Sequence, residues 1–162
     1  MDDLVSARTR ASEIWREAYS FQMNGELAEA IALYQASIET YATAEAHTYL
    51  GWSYSFLGRY EDAIVECLKA IEIDPAFGNP YNDLGVYLMA TDRPREAIAW
   101  LEKATAASRY ETPHFPWTNL GCIYERIGPW SEAIRCYRRA LEIAPDYHGA
   151  KAALHQLITR FN

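Results

Sequence analysis

The chain has 162 residues, 50% of them hydrophobic and 23% charged, the balance of one globular domain with a core large enough to fold alone. A formal charge of −7, from 15 basic and 22 acidic side chains, argues against nucleic-acid binding, which needs a basic footprint on the phosphates. No apolar run approaches membrane-spanning length, and the first ten residues, MDDLVSARTR, hold no apolar signal core.

The charge is uneven. Residues 1–81 carry 5 basic and 13 acidic side chains, whereas residues 82–162 carry 10 and 9. An acidic half attracts a basic partner or simply keeps the chain in solution. Cys67, Cys122 and Cys136 are odd in number and form no CxxC or Cys/His cluster. They fit buried free thiols in a reducing compartment, so a cytoplasmic protein is expected.

In chain order, the sequence predicts four helix pairs and a last single helix. The first pair, 11–43, keeps Ala18, Phe21, Gly25, Ala30 and Tyr34, and residues 3–10 extend its leading helix. The second, 44–77, contains LGWSYSFLGRYEDAIVECLKAIEIDP. The third, 78–113, contains LGVYLMATDRPREAIAWLEKA, and the fourth, 114–147, contains LGCIYERIGPWSEAIRCYRRALEIAP. Leu50, Leu84 and Leu120 share one register, each followed by a glycine; Ala63, Ala97 and Ala133 share a second. From Ala30 to Ala63, Ala97 and Ala133 the steps are 33, 34 and 36 residues. Small residues recur where two helices cross closely. Gly or Asp makes the bend within each pair, and Pro75 and Pro145 stop second helices. The last helix, 148–161, presents Ala152, Ala153, Leu154, Leu157, Ile158 and Phe161 as an apolar face that covers the open end of the stack.

One stretch departs from the period. SRYETPHFPWTNLG, residues 108–121, makes the third repeat two residues longer than 34. Pro113 ends the linker, and Pro116 falls at the start of the next helix, where a missing N–H is tolerated. The extra length is expected to bulge or shift the stacking locally and to bring Phe115 outward, with His114 beside it.

No catalytic signature is present: no G-x-S-x-G, P-loop, H-E-x-x-H or dinucleotide fingerprint. His148 and His155 share a face of the last helix but lie two turns apart without a third ligand. No enzyme activity, metal or cofactor is expected.

The pattern resembles the tetratricopeptide repeat, a 34-residue helix-turn-helix unit with a W-x2-L-G-x2-Y…A-x3-F…P signature. Residues 114–147 match it throughout, with Trp117, Leu120, Gly121, Tyr124, Ala133, Tyr137 at the Phe place, and Pro145. Residues 44–77 place His47 at the Trp position and Cys67 at the Phe position. Residues 78–113 place Tyr81 at the Trp position and Arg109 at the Pro position. Residues 11–43 have Ile14 and Glu17 where Trp and Leu belong. The resemblance implies an all-α fold: a right-handed α-solenoid of about four units with a C-terminal cap, forming a single domain over residues 1–162.

In that family the first helix of each unit lines a concave groove that binds partner segments. The groove positions here hold Trp15, Tyr19, Tyr49, Trp52 and Phe56 in the first two units. In the last two they hold Asn79, Asn82, Asp83, Phe115, Asn119 and Arg126. The aromatics fall at i, i+4 and at i, i+3, i+7, so each set shares one helix face. They serve either as anchors for a partner or as packing for each other. The asparagines resemble those that hold an extended peptide backbone in the family, since an amide both donates and accepts. The carboxylate clamp of co-chaperones that hold heat-shock C-termini is not supplied: Trp15 and Tyr19 occupy its first Lys and Asn positions. Glu45, Asp83 and Glu125 oppose only Arg16 and Arg126. The expected ligand is therefore a neutral or basic protein segment with apolar side chains, bound by an adaptor, scaffold or assembly factor. The alternatives are a homo-oligomeric scaffold and an accessory subunit of an enzyme complex. Arg135, Arg138 and Arg139 lie away from the groove, with Arg138 placed to pair with Glu142 at i, i+4. They form a solvated face or a docking patch for an acidic partner.

Overall fold

The computed structural model describes residues 2–160, so Phe161 of the expected capping face lies outside the described residues. Among the described residues the chain forms nine helices and no extended strand. They are α1 (Asp2–Met23), α2 (Leu27–Thr40), α3 (Ala44–Phe56), α4 (Tyr60–Ile73) and α5 (Asn79–Ala90), then α6 (Pro94–Ala106), α7 (His114–Ile127), α8 (Trp130–Ile143) and α9 (His148–Thr159). They fall into two compact units, Met1–Pro75 and Ala76–Asn162.

The same local chemistry builds every pair. The bend after the first helix needs a left-handed residue, supplied by Gly25 at φ 82°, Gly58 at 71° and Gly128 at 67°. In the third repeat Asp92 takes that place at φ 60°, a conformation that Asp tolerates better than most side chains. The alanines at the crossings, Ala30, Ala63, Ala97 and Ala133, are fully buried, as are Ala70, Ala104 and Ala140. Their lack of bulk lets the two backbones approach. At Gly121 the Tyr137 side chain of the partner helix comes so close that an added Cβ would clash with its ring.

In the N-terminal unit α1 packs on α2, α2 on α3, and α3 on α4. Fully buried Tyr34 donates its hydroxyl to Gln22 Oε1 at 2.7 Å, and Ser37 Oγ donates to the Ala11 carbonyl at 2.8 Å. Burial raises the Tyr34 hydroxyl well above its ordinary pKa. Thr43 caps α3 by accepting from the Ala46 N–H at 3.1 Å. His47, at the tryptophan position of its repeat, is buried, and its Nδ1 lies 2.5 Å from Glu66 Oε2. Lys69 Nζ holds the other oxygen of Glu66 at 2.7 Å. A polar clasp between α3 and α4 thus stands where an indole would otherwise pack.

In the C-terminal unit α5 to α9 pack in sequence, each against the next. Ala133, Tyr137, Ala140, Ala150 and Leu157 form one core cluster, with Trp117, Tyr124 and Tyr147 partly buried against it. Through Leu157 and Ala150, α9 covers α8, as expected of a cap. The irregular stretch after α6 is pinned by two backbone bonds. Arg109 N–H reaches the Ala76 carbonyl and Gly78 N–H reaches the Arg109 carbonyl, both at 3.0 Å. The Arg109 guanidinium lies 4.0 Å from the centre of the Phe77 ring. Arg109 thus stands at the position that Pro75 and Pro145 hold in the second and fourth repeats, and fixes the chain there by backbone bonds. Pro113 precedes α7 without a capping hydrogen bond, and buried Pro116 sits in the first turn of the helix.

Two expectations are corrected. Cys67 and Cys136 are buried free thiols, but Cys122 is exposed. It follows Gly121, the crossing residue, and sits at the edge of the crossing: its Sγ accepts from the Tyr137 hydroxyl of α8 at 3.5 Å while the residue stays open to solvent. Glu142 is taken by Arg139 at 2.5 Å, not by Arg138. The i, i+3 partner reached the carboxylate, and Arg138 makes no ion pair among the described residues.

Candidate functional site

The N-terminal unit carries a continuous aromatic face on α1 and α3. Trp15 stacks on Tyr19 at 5.8 Å between ring centres, with planes 8° apart. Tyr49 meets both edge-on, at 5.1 Å from Trp15 and 5.5 Å from Tyr19. The chain of rings continues from Tyr49 to Trp52 at 5.8 Å and from Trp52 to Phe56 at 5.3 Å. These offset and edge contacts are the favoured geometries of aromatic quadrupoles, about 0.5–1.5 kcal/mol each beyond area burial. All five predicted aromatics are therefore brought together.

They divide into a support and a rim. Trp15, Tyr49 and Trp52 are half-buried, whereas Tyr19 is 37% and Phe56 57% exposed. Met23, which ends α1, is 49% exposed. Mutual packing and presentation to solvent thus coexist: half-buried rings back the exposed ones. The Trp15 Nε1–H is buried without a hydrogen-bond partner. Trp15 also borders a cleft of about 270 Å³ that includes Arg8, Ser12, Thr43 and Glu45.

The C-terminal unit carries a polar cluster on α5 and α7. Asn119 Nδ2 donates to Asn82 Oδ1 at 2.9 Å, and Asn82 Nδ2 points to Asp83 Oδ1 at 3.5 Å. Asn82 is buried, and Asp83, Asn119 and Asn79 are half-buried. Burial pushes the Asp83 carboxyl up to about 7, against the opposing pull of the Asn82 amide. Its charge in turn reaches Tyr110, whose hydroxyl is raised first by its own burial. The ring of Tyr110 lies over Gly78 at the start of α5.

Phe115 and Arg126 lie apart from this cluster. Phe115 belongs to a ring group with His114 at 4.4 Å and Tyr147 at 5.5 Å, and it remains 37% exposed. Arg126 pairs with Asp92 at 2.5 Å, near the bend between α5 and α6. Tyr110 and Tyr147 were not anticipated. Neither sits on a first helix, and no spacing rule links them to the residues they touch.

Chemically, these surfaces offer rigid apolar anchors, amide donors and acceptors, and a carboxyl that titrates near neutrality. Among the described residues no group of three His, Cys, Asp or Glu side chains is placed to hold a metal ion. Among the described residues no helix is long and apolar enough to cross a membrane.

Tandem helix pairs with alanine crossings define a protein of the α-solenoid class. The tetratricopeptide repeat models match residues 44–77, 81–109 and 115–147. These stretches make up more than half of the chain, which belongs to the tetratricopeptide repeat family. A search of curated proteins finds no significant match. Among solved structures, that of Pseudomonas aeruginosa pilF superposes with a TM-score of 0.88 at 19% identity, over 94% of this chain and 70% of that one. MamA superposes with a TM-score of 0.74 at 23% identity, over 86% of this chain and 81% of that one. YrrB, described as a TPR protein with an unusual peptide-binding site, gives 0.70 at 21% identity, over 91% and 75%. At these identities the likeness is one of fold.

Proposed function

We propose that this chain is a non-catalytic adaptor or assembly factor that binds a segment of a partner protein on the first helices of its repeats. The observation that carries this reading is the aromatic face of the N-terminal unit, where exposed Tyr19 and Phe56 are braced by Trp15, Tyr49 and Trp52. Braced aromatics give up little conformational entropy on binding, which is why such residues dominate interface energetics. The excess of acidic over basic side chains in residues 1–81 favours a segment that is apolar with neutral or basic flanks. In the C-terminal unit, Asn79, Asn82, Asp83 and Asn119 supply donors and acceptors suited to a peptide backbone. YrrB, with the same fold, is described as having a peptide-binding site. Residues 1–162 are read as one repeat domain because the repeat register continues past Pro75. The three free cysteines accord with a cytoplasmic location.

Peptides selected from a random display library against the whole protein test the reading. Tyr19→Ala and Phe56→Ala remove exposed rings while leaving their supports in place. Each should weaken the selected peptides by about tenfold or more. Unchanged affinity in both variants, or a library that yields no binder, refutes the assignment.

A further inference from the structure

The outward faces of α4 and α8 occupy the same repeat register yet carry opposite chemistry. Val65 and Leu68 on α4 correspond to Arg135 and Arg138 on α8, counting from the crossing alanines Ala63 and Ala133. Val65 is 48% and Leu68 39% exposed, at positions where the third repeat has Ala99 and Glu102. With Glu61 and Glu72 they fall at i, i+4, i+7 and i+11, a single stripe on α4. That stripe is an apolar pair bracketed by two carboxylates. Glu72 is exposed and makes no ion pair among the described residues.

On α8 the matching face forms an open cleft of about 300 Å³ whose lining includes Trp117, Ile134, Arg135, Arg138 and Arg139. Trp117 and Ile134 are half-buried and give it an apolar floor. The Arg135 guanidinium lies 5.9 Å from the Trp117 ring and pairs with Glu132; Arg139 pairs with Glu142. Both pairs are exposed i, i+3 contacts on one helix and exchange readily for another carboxylate. Arg138 makes no ion pair among the described residues. The cleft is thus an apolar floor rimmed by three arginines and by Glu142, a rim with an excess of positive charge, and the α4 stripe matches it in charge and apolarity.

We propose that α4 of one copy docks in the α8 cleft of a second copy, with Val65 and Leu68 on Trp117 and Ile134 and the α4 carboxylates among the α8 arginines. The contact joins two different surfaces, so it is heterologous and builds a ring or an open chain of copies. It uses neither the aromatic face nor the amide cluster and does not rest on either binding a peptide.

Sedimentation velocity on the full chain tests the proposal. The wild-type protein should self-associate in a concentration-dependent way. Association should weaken as salt rises from about 0.01 M to about 0.15 M and the screening length shrinks from about 30 Å to about 8 Å. Leu68→Arg spoils only the α4 face and Arg138→Glu only the α8 cleft. Each should weaken self-association by more than about tenfold, because like charges are brought together across the contact. Mixed in equal amounts, the two variants should recover association. The intact cleft of the first takes the intact α4 of the second. That recovery also shows that both variants are folded. A wild-type protein that stays monomeric at low salt overturns the proposal. So do single variants that associate like wild type, or a mixture that fails to pair.

Discussion

Asp83→Asn should stabilise the protein at mildly alkaline pH and leave it unchanged in acid. Burial pushes the Asp83 carboxyl from its ordinary 3.8 up to about 7. Below 3.8 the group is protonated in both the folded and unfolded chain and contributes no pH dependence. Between 3.8 and 7 the unfolded chain releases its proton while the folded chain keeps it, so stability falls as pH rises. Above about 7 the loss is complete. Three units at about 1.36 kcal/mol each set a ceiling of about 4 kcal/mol. The effective dielectric around such groups is nearer 20 than 4, which brings the expectation down to about 2 kcal/mol. Asparagine keeps the size of the side chain and an oxygen to accept from Asn82, but it cannot ionise. The assay is urea unfolding of wild type and variant at pH values of about 4, 6 and 8, reading the difference in stability between them. Taking the difference cancels groups common to both, Glu66 included. The difference should be near zero at the lowest pH and largest at the highest. A flat profile, or a variant stabilised most in acid, refutes the reading that burial beside Asn82 raises this carboxyl.

Two further substitutions probe the packing. Burial alone would raise the Glu66 carboxyl, but hydrogen bonds from His47 and Lys69 outweigh it and hold the group below its usual range. Its stabilisation is therefore present above pH 4.5 and lost as pH falls through the folded value. Glu66→Gln should cost about 2–3 kcal/mol at neutral pH, with the cost shrinking in acid, as measured by denaturant titration. Gly121→Ala should cost about 1–3 kcal/mol in a thermal or urea melt, because the new methyl meets the rigid, fully buried Tyr137 ring. A Gly121→Ala variant as stable as wild type would mean that α7 and α8 do not cross at that residue.

Much of the architecture was legible because repeat proteins are stabilised by neighbour-to-neighbour packing. The predicted repeat starts at 44, 78 and 114 lie within one residue of α3, α5 and α7, which begin at Ala44, Asn79 and His114. Period, crossing alanines and bend glycines are local signals, and each unit answers to them almost independently. The first pair, with the weakest signature, lies outside the matched family stretches yet folds as α1 and α2 with Ala30 buried at the crossing. The aromatic face was equally legible, since spacing along a helix fixes which side chains share a side.

Other features depended on which residues meet across the fold. Asn82 and Asn119 are 37 residues apart and bond only because α5 and α7 lie side by side. Phe115 and Arg126 share a helix with Asn119, yet Tyr147 engages one and Asp92 the other. His47 reads as a poor substitute for tryptophan until Glu66 is seen opposite it. The stretch 108–113 breaks the period in sequence, and only the backbone bonds of Arg109 to Ala76 and Gly78 show it as a clamp on the start of α5. The sequence by itself determined the helix pairs, their register and the family, because those follow from periodicity and turn chemistry within about 34 residues. The tertiary structure alone decided which polar groups are paired, which carboxyl is raised by burial and which arginine makes no ion pair among the described residues. Those properties depend on distance and desolvation, which no local pattern encodes.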